Sequence, residues 1–475
     1  MTANETPQAT IYDLDGRPPL RAAIPLGLQH VFAMFIGNLA PIFVVAGVVS
    51  TITGEVIVTP AQRMLMIQAV LIASGLSTLI QLYPIRLGKK VQIGAGLPIV
   101  MGTSFAFVPT MISIGVDFGI NAIIGAVIVG SLMEVVMGLF IKQVRKLIAP
   151  IVVGSVLISI GLSLLPVGVT YFAGGAGAQN AHITMHALLA RGEVVPENMA
   201  NLAVNFASWQ NLLLGTVVFL VIVTLQRLAK GLMKVSAIFI GIVVGYILAI
   251  ILGVVDFNAV ANANVIALPR PLSIMPEFYL GPILAMSIMC MVSGVETMGH
   301  INGVTMAVWN KPADDKQLQG SLLADAAGNL IASFFGSLPN TSFGQNVGIV
   351  SMTKAVNKFC IFITAAVLIL AGFSPKISSV LSVMPNSVLG GAVITVIAMI
   401  MLNGIKIVAG EGFSERNVFI FVLTFGVGYA AANNSHLVDA LPGPLSFLFG
   451  NTTIAVCIIA IILNQIFPKP KEIDI

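Results

Sequence analysis

Five ionisable side chains stand inside stretches otherwise too apolar for water: His30, Glu134, Glu296, His300 and Asp325. Each is costly at the centre of a bilayer, so each is a candidate functional group. Glu296 and His300 are spaced i, i+4, which places them on one helical face, one turn apart. A carboxylate and an imidazole so placed can accept a heterocycle's N–H and carry a proton. Gly294 and Gly299 beside them permit close approach of a ligand or helix. The bland alternative is a structural pair between helices. Asp325, among small residues in LLADAAGN, reads as a relay member or an anchor for broken backbone. His30 follows Gln29 as a polar pair that braces the core. Glu134 reads as a helix-packing residue near the cytoplasmic side.

A second feature needs positioning. Pro339–Gly348 reads PNTSFGQNVG, a polar break between the apolar runs Leu330–Phe335 and Phe359–Ala371. Unpaired backbone and amide groups cannot face lipid, so this segment must be buried in protein or line a cavity. Broken helices at membrane depth are how transporters hold polar solutes.

The elements around these residues are membrane spans. The chain has 475 residues, 57% hydrophobic and only 9% charged, with mean hydropathy +1.00. Soluble domains carry about 25% charged residues. Apolar stretches of about 20 residues recur from end to end, which predicts an all-α polytopic membrane protein and excludes a barrel pattern. The expected spans are 23–49, 62–83, 91–112, 119–141, 147–166, 208–226, 235–255, 279–302, 319–337, 341–354, 358–373, 378–403, 416–432 and 445–467. Met1–Pro19 lacks a signal-peptide pattern, so the first span is expected to act as an uncleaved insertion signal.

With the N-terminus in the cytoplasm, all but Arg63, Arg191, Arg270 and Lys376 of the 23 Lys and Arg residues fall inside. That asymmetry predicts cytoplasmic termini. Cys290, Cys360 and Cys457 read as small core residues. The external stretch 167–207 carries His182, His186 and Glu193 and reads as an ordered loop rather than a metal site. No cofactor, metal or nucleic acid is implied.

The two interrupted spans match each other. Leu97–Phe107 reads LPIVMGTSFAF and Leu338–Ile349 reads LPNTSFGQNVGI. Both carry Leu-Pro followed by Thr-Ser-Phe, and each is third in its half of seven spans. An odd number per half inverts the second half, the arrangement in which such paired segments mark a binding site.

Gly344–Lys354 reads GQNVGIVSMTK. With Gln345, Asn346, Gly348, Thr353 and Lys354 it is similar to the signature of the nucleobase/ascorbate transporter family. Gln29-His30, Gly102–Phe107, the glutamate of GVETMGH and Asp325 stand in the order that family shows. The resemblance implies fourteen segments as a 7+7 inverted repeat, with short antiparallel strands in segments 3 and 10. It implies a core domain of 23–141 and 279–373 and a gate domain of 147–255 and 378–467. Residues 1–22 and 468–475 are then cytoplasmic tails. It further implies a nucleobase carried inward, H⁺ coupling, elevator-like motion, a homodimer and the inner membrane of a bacterial-type cell. By the same resemblance, Glu296 accepts ring N–H groups, Gln345 reads a ring edge and Phe105 stacks on the base. Backbone N–H groups near Phe105 and Gly344 meet substrate carbonyls. Asn346 holds the broken helix, and Asp325 and His30 support the network. Thr353 and Lys354 close the motif and affect specificity or the pathway.

The family's xanthine and uric acid carriers usually have Gln where this chain has Gln345; its uracil carriers usually have Glu. His300 resembles the uracil pattern. Because the Gln345 amide would touch the base, an oxidised purine is expected, with a uracil:H⁺ symporter as the alternative. Glu296, His300 and Asp325 form a titratable set, which favours H⁺ as coupling ion. An anion exchanger would want a cation at the crossing of segments 3 and 10, where none stands. A membrane enzyme would want a nucleophile or metal motif beside Glu296 and His300, and neither is present.

Overall fold

The computed structural model describes residues 10–52, 58–88, 91–143 and 149–467. Lys89, Lys90, Arg145, Lys146, Lys469, Lys471 and the tail 468–475, used above for orientation, lie outside them. The chain is a mostly helical polytopic membrane protein. Helices α1 (Leu20–Ile52), α2 (Pro60–Leu82), α4 (Ile120–Leu139) and α5 (Pro150–Phe172) are long and apolar, as are α6 (Trp209–Leu228), α8 (Leu280–Trp309) and α12 (Asn386–Gly410). Shorter helices are α3 (Val108–Phe118), α7 (Ala237–Ile251), α10 (Gly344–Thr353), α13 (Glu415–Leu423) and α14 (Thr452–Ile466). Between α8 and α10 lies α9 (Asp315–Phe334), started by a capping box of Asp314 and Gln317. Helix α11 (Lys358–Gly372) bends by 82° into Pro375–Ser382. Among the described residues seven helices are long and apolar enough to cross a bilayer, or eight with the bent pair as one span.

The helices sort by packing. Helix α4 lies against α8 and α9, while α2 and α1 lie against α11. Separately, α5 packs on α12 and α14, and α6 on α7 and α12. Glycines allow these approaches: a Cβ at Gly154 would stand 2.9 Å from the Gly404 carbonyl, joining α5 to α12.

Several expected spans differ in detail. The third, expected to be interrupted, is no continuous helix over 91–112. It opens as a hairpin, β1 (Ile85–Leu87) paired antiparallel with β2 (Val91–Ile93), and runs irregularly to β3 (Met101–Thr103). Gly94 has φ 102°, and its N–H donates to the Gly320 carbonyl at 2.7 Å. The stretch 167–207 is largely helical, with α5 continuing to Phe172 and helices at Ala176–Ala190 and Glu197–Val204. His182 and His186 stack edge-on at 4.5 Å, and no metal-holding cluster of three His, Cys, Asp or Glu occurs among the described residues. The thirteenth span passes from α13 into a π-helical turn, Thr424–Tyr429, and the fourteenth is broken at Asn451 between Gly443–Gly450 and α14. All three cysteines are buried.

From Thr10 the N-terminal tail is fastened to the α10–α11 junction. Ile11 O accepts the Val356 and Asn357 N–H groups at 3.0 and 3.2 Å, and Leu14 O accepts that of Lys358 at 3.0 Å. Lys358 Nζ meets Asp15 at 2.9 Å. The Thr10 backbone N–H and hydroxyl both donate to Asp13, which holds its carboxyl below the ordinary range.

Candidate functional site

Strand β3 and strand β4 (Asn340–Ser342) pair antiparallel, with Met101 opposite Ser342, Gly102 opposite Thr341 and Thr103 opposite Asn340. All six residues are buried. The matching Thr-Ser-Phe segments therefore meet. A helix begins just beyond each strand: a 3₁₀ turn, Phe105–Phe107, leads into α3, and α10 starts at Gly344. Ser104 Oγ caps the first turn by accepting the Ala106 N–H at 3.1 Å. Helix α10 has no side-chain cap, and its Asn346 N–H turns back to Phe343 O at 3.1 Å, so the N–H groups of Gly344 and Gln345 are the ones left to meet an acceptor. Closeness is essential here, since a Cβ at Gly344 would stand 2.7 Å from His300 Nε2.

A cavity of about 330 Å³ lies against this crossing. The strand side supplies Thr103, Ser104, Phe105, Ser342, Phe343, Gly344, Gln345 and Gly348; α8 supplies Glu296 and His300. The opposite wall comes from α6, the short helix Gly231–Val235, α7 and α12, and is apolar apart from Gln226, Lys234 and Asn403. Gln226 Nε2 lies 3.3 Å from the Met399 sulfur, tying α6 to α12.

Glu296 and His300 keep 23% and 18% of their side-chain surface exposed, whereas Asp325 is fully buried. The first two face the cavity; Asp325 stands behind them. His300 Nε2 is 3.8 Å from Glu296 Oε1, while Glu296 Oε2 is buried with no hydrogen-bond partner among the described residues. Glu296 lines the cavity, where a carboxylate is suited to accept a ligand's N–H.

Behind the wall runs a hydroxyl network. The Thr297 hydroxyl donates to Asp325 Oδ2. Thr297 Oγ1 is also 2.9 Å from Ser342 Oγ, and Ser342 Oγ is 2.8 Å from His300 Nδ1. Ser342 Oγ thus bridges Thr297 and the His300 ring, and His300 turns Nε2 toward Glu296. Thr341 Oγ1 donates to Asp325 at 3.2 Å and accepts from Ser293 at 2.9 Å.

His30 and Asn346 form a separate pair, 2.6 Å apart, which joins α1 to the first turn of α10. His30 has no bond to Asp325, so the two expected network members belong to different braces. Thr353 and Lys354 are end-of-helix residues. Thr353 Oγ1 donates to Ile349 O and accepts the Ala355 N–H. Lys354 takes a left-handed φ of 56° and donates Nζ to Ala307 O at 2.6 Å. Both act outside the cavity lining.

Sequence reasoning missed Thr297, Ser342, Asn329 and Lys234. The first two adjoin residues already singled out, and Asn329 is one helical turn beyond Asp325, so spacing from Asp325 was a usable signal. Lys234 looked like an ordinary loop cation.

Two short helices that start from a buried strand pair, with a cavity between that pair and a separate helical wall, are the architecture of a membrane carrier. The family described as the Permease family matches residues 21–198 and 192–435. The chain belongs to it: this is the nucleobase/ascorbate transporter family, a family of transporters rather than enzymes. The chain is 30% identical to the xanthine permease of Bacillus subtilis, over 95% of each protein. It is also 30% identical to the uric acid permease PucJ of the same organism, over 93% of this chain and 92% of that one. Its fold is similar to the transmembrane domain of a cyanobacterium bicarbonate transporter, BicA. That match has a TM-score of 0.52 at 15% identity, covering 91% of this chain and 97% of that one.

Proposed function

We propose that this protein imports an oxidised purine, xanthine or uric acid, by H⁺ symport. The observation that carries the reading is the cavity at the β3–β4 crossing. There the Glu296 carboxylate, the Gln345 amide, the Phe105 ring and the uncapped start of α10 converge. Acceptors for ring N–H, donors for ring carbonyls and an aromatic face are what a flat, oxygen-rich base requires. The volume sits at the low end of the roughly 300–1,000 Å³ typical of small-molecule sites. The names of the similar permeases favour the same substrate class.

The packing groups support a core domain of 23–141 and 279–373 moving against a gate domain of 147–255 and 378–467. Fourteen segments in two inverted halves follow from the matched third segments, with both termini cytoplasmic. Elevator-like motion and a homodimer belong to the same proposal. The uracil reading is kept alive by His300, which lines the cavity. An anion exchanger is disfavoured because the cavity's cation, Lys234, lies on the wall across from the strand crossing, and Lys354 is committed to Ala307.

The test is uptake of labelled xanthine, uric acid and uracil into proteoliposomes, with and without an inward pH gradient. Gradient-driven accumulation of an unmodified oxidised purine is expected. Accumulation of uracil alone, or indifference to the gradient, would refute the substrate or the coupling respectively.

A further inference from the structure

Glu134 lies on α4, fully buried and absent from the cavity lining. Its Oε2 accepts from Asn329 Nδ2 at 2.8 Å. Asn329 Oδ1 in turn accepts the backbone N–H of Asn340 at 2.6 Å. These contacts fix the amide. A backbone N–H can only donate, so oxygen must face Asn340 and nitrogen must face Glu134. Asn340 opens β4, and its own Nδ2 reaches Ser77 Oγ on α2 at 3.3 Å. The two residues that follow carry the wall: Thr341 holds Asp325, and Ser342 holds His300. A connected path of bonds and two residues of strand thus leads from Glu134 to an imidazole in the cavity.

We propose that Glu134 is a positioning residue for substrate binding. By accepting from Asn329 it fixes the start of β4, and through β4 the placement of Ser342, His300 and the first turn of α10. The mechanism is specific. Without an acceptor on α4, the Asn329 Nδ2 group is left unpaired in a buried site. The amide then loses one of the two bonds that hold it, and only the Asn340 N–H still orients it. A residue that merely packed α4 on α9 would change stability but not the cavity. This inference rests on the transport reading above.

Binding of xanthine, uric acid and uracil to the purified full-length protein, paired with thermal unfolding, tests it. Glu134→Gln keeps an acceptor oxygen and should hold the dissociation constant within about threefold of wild type, with the unfolding midpoint little changed. Glu134→Asp keeps the charge but is one methylene too short to reach Asn329. It should weaken binding about tenfold, and Glu134→Leu should weaken it at least as much. If Asn329→Leu is added to Glu134→Leu, the double variant should bind no worse than Asn329→Leu alone, because both act on one path. Wild-type affinity in Glu134→Leu would overturn the inference. So would the reverse order in the conservative pair, with Glu134→Asp intact and Glu134→Gln impaired. That pair decides the matter even if Glu134→Leu does not fold. Should wild type bind none of the three bases, the transport reading itself fails; if it binds and the variants behave otherwise, only the role of Glu134 fails.

Discussion

The two crossing strands are anchored alike at one end and differently behind it. On β3, Asn38 Oδ1 accepts the Thr103 N–H at 2.7 Å, and its Nδ2 donates to Ser74 Oγ at 3.0 Å. On β4, Asn329 accepts the Asn340 N–H, and its Nδ2 donates to the Glu134 carboxylate. Each strand thus hangs from an asparagine, but one asparagine leans on a hydroxyl and the other on a carboxyl. The same asymmetry runs into the cavity. The β3 side offers Thr103, Ser104 and Phe105, none of them ionisable. The β4 side is backed by Asp325 and faced by Glu296 and His300. The two strands share an anchor of the same kind, while the ionisable groups stand on the β4 side. The lesson is that β3 shapes the site while β4 and α8 carry its chemistry.

The largest expected effect strikes the charged half. Glu296→Gln should abolish uphill uptake of xanthine while leaving the protein folded; full pH-driven accumulation in the variant would end the coupling argument. Next comes a swap within β4's helix. Gln345→Glu replaces an amide that donates and accepts with an acceptor only. A wrongly paired buried group costs about 1–3 kcal/mol, so the xanthine-to-uracil preference should fall roughly 5- to 150-fold. Competition uptake reads this out, and an unchanged preference would remove Gln345 from the specificity argument.

Comparing the anchors directly gives a smaller effect. Asn329→Leu leaves the Asn340 N–H and the Glu134 carboxyl unpaired, whereas Asn38→Leu leaves the Thr103 N–H and a Ser74 hydroxyl. Because charged groups lose more than hydroxyls, Asn329→Leu should lower the unfolding midpoint further. Equal losses would break the contrast between the strands. The smallest effect belongs to Lys354→Gly. Glycine suits the left-handed φ there, while the bond to Ala307 is lost, so stability should move by less than about 1 kcal/mol. Substrate selectivity should not move at all.

Much of this was legible in the sequence because buried polarity in an apolar chain is conspicuous. Glu296, His300 and the break at Pro339–Gly348 announced themselves that way. The Leu-Pro and Thr-Ser-Phe matches marked Leu97–Phe107 and Leu338–Ile349 as a pair, and the family resemblance implied that their strands meet. What sequence could not show was partnership. Spacing places Asn329 one turn beyond Asp325, but only the fold brings it to Glu134 and Asn340. His30 was linked with Asp325, whereas packing of α1 on α10 gives it to Asn346. Helix boundaries failed where hydropathy is blind to breaks. Residues 91–100 were expected to be interrupted, but where hairpin and coil divide, with Gly94 and Gly96 at positive φ, came only with the fold. The stretch 167–207 hid helices of low amphipathicity behind a loop-like composition.

The central claim is that the β3–β4 crossing holds an oxidised purine through Glu296. Titration calorimetry of xanthine into purified wild type and Glu296→Gln tests it most directly. Saturable wild-type binding, weakened at least about tenfold by the substitution, is the expected result. Equal affinity in the two proteins would contradict the account and place the base elsewhere.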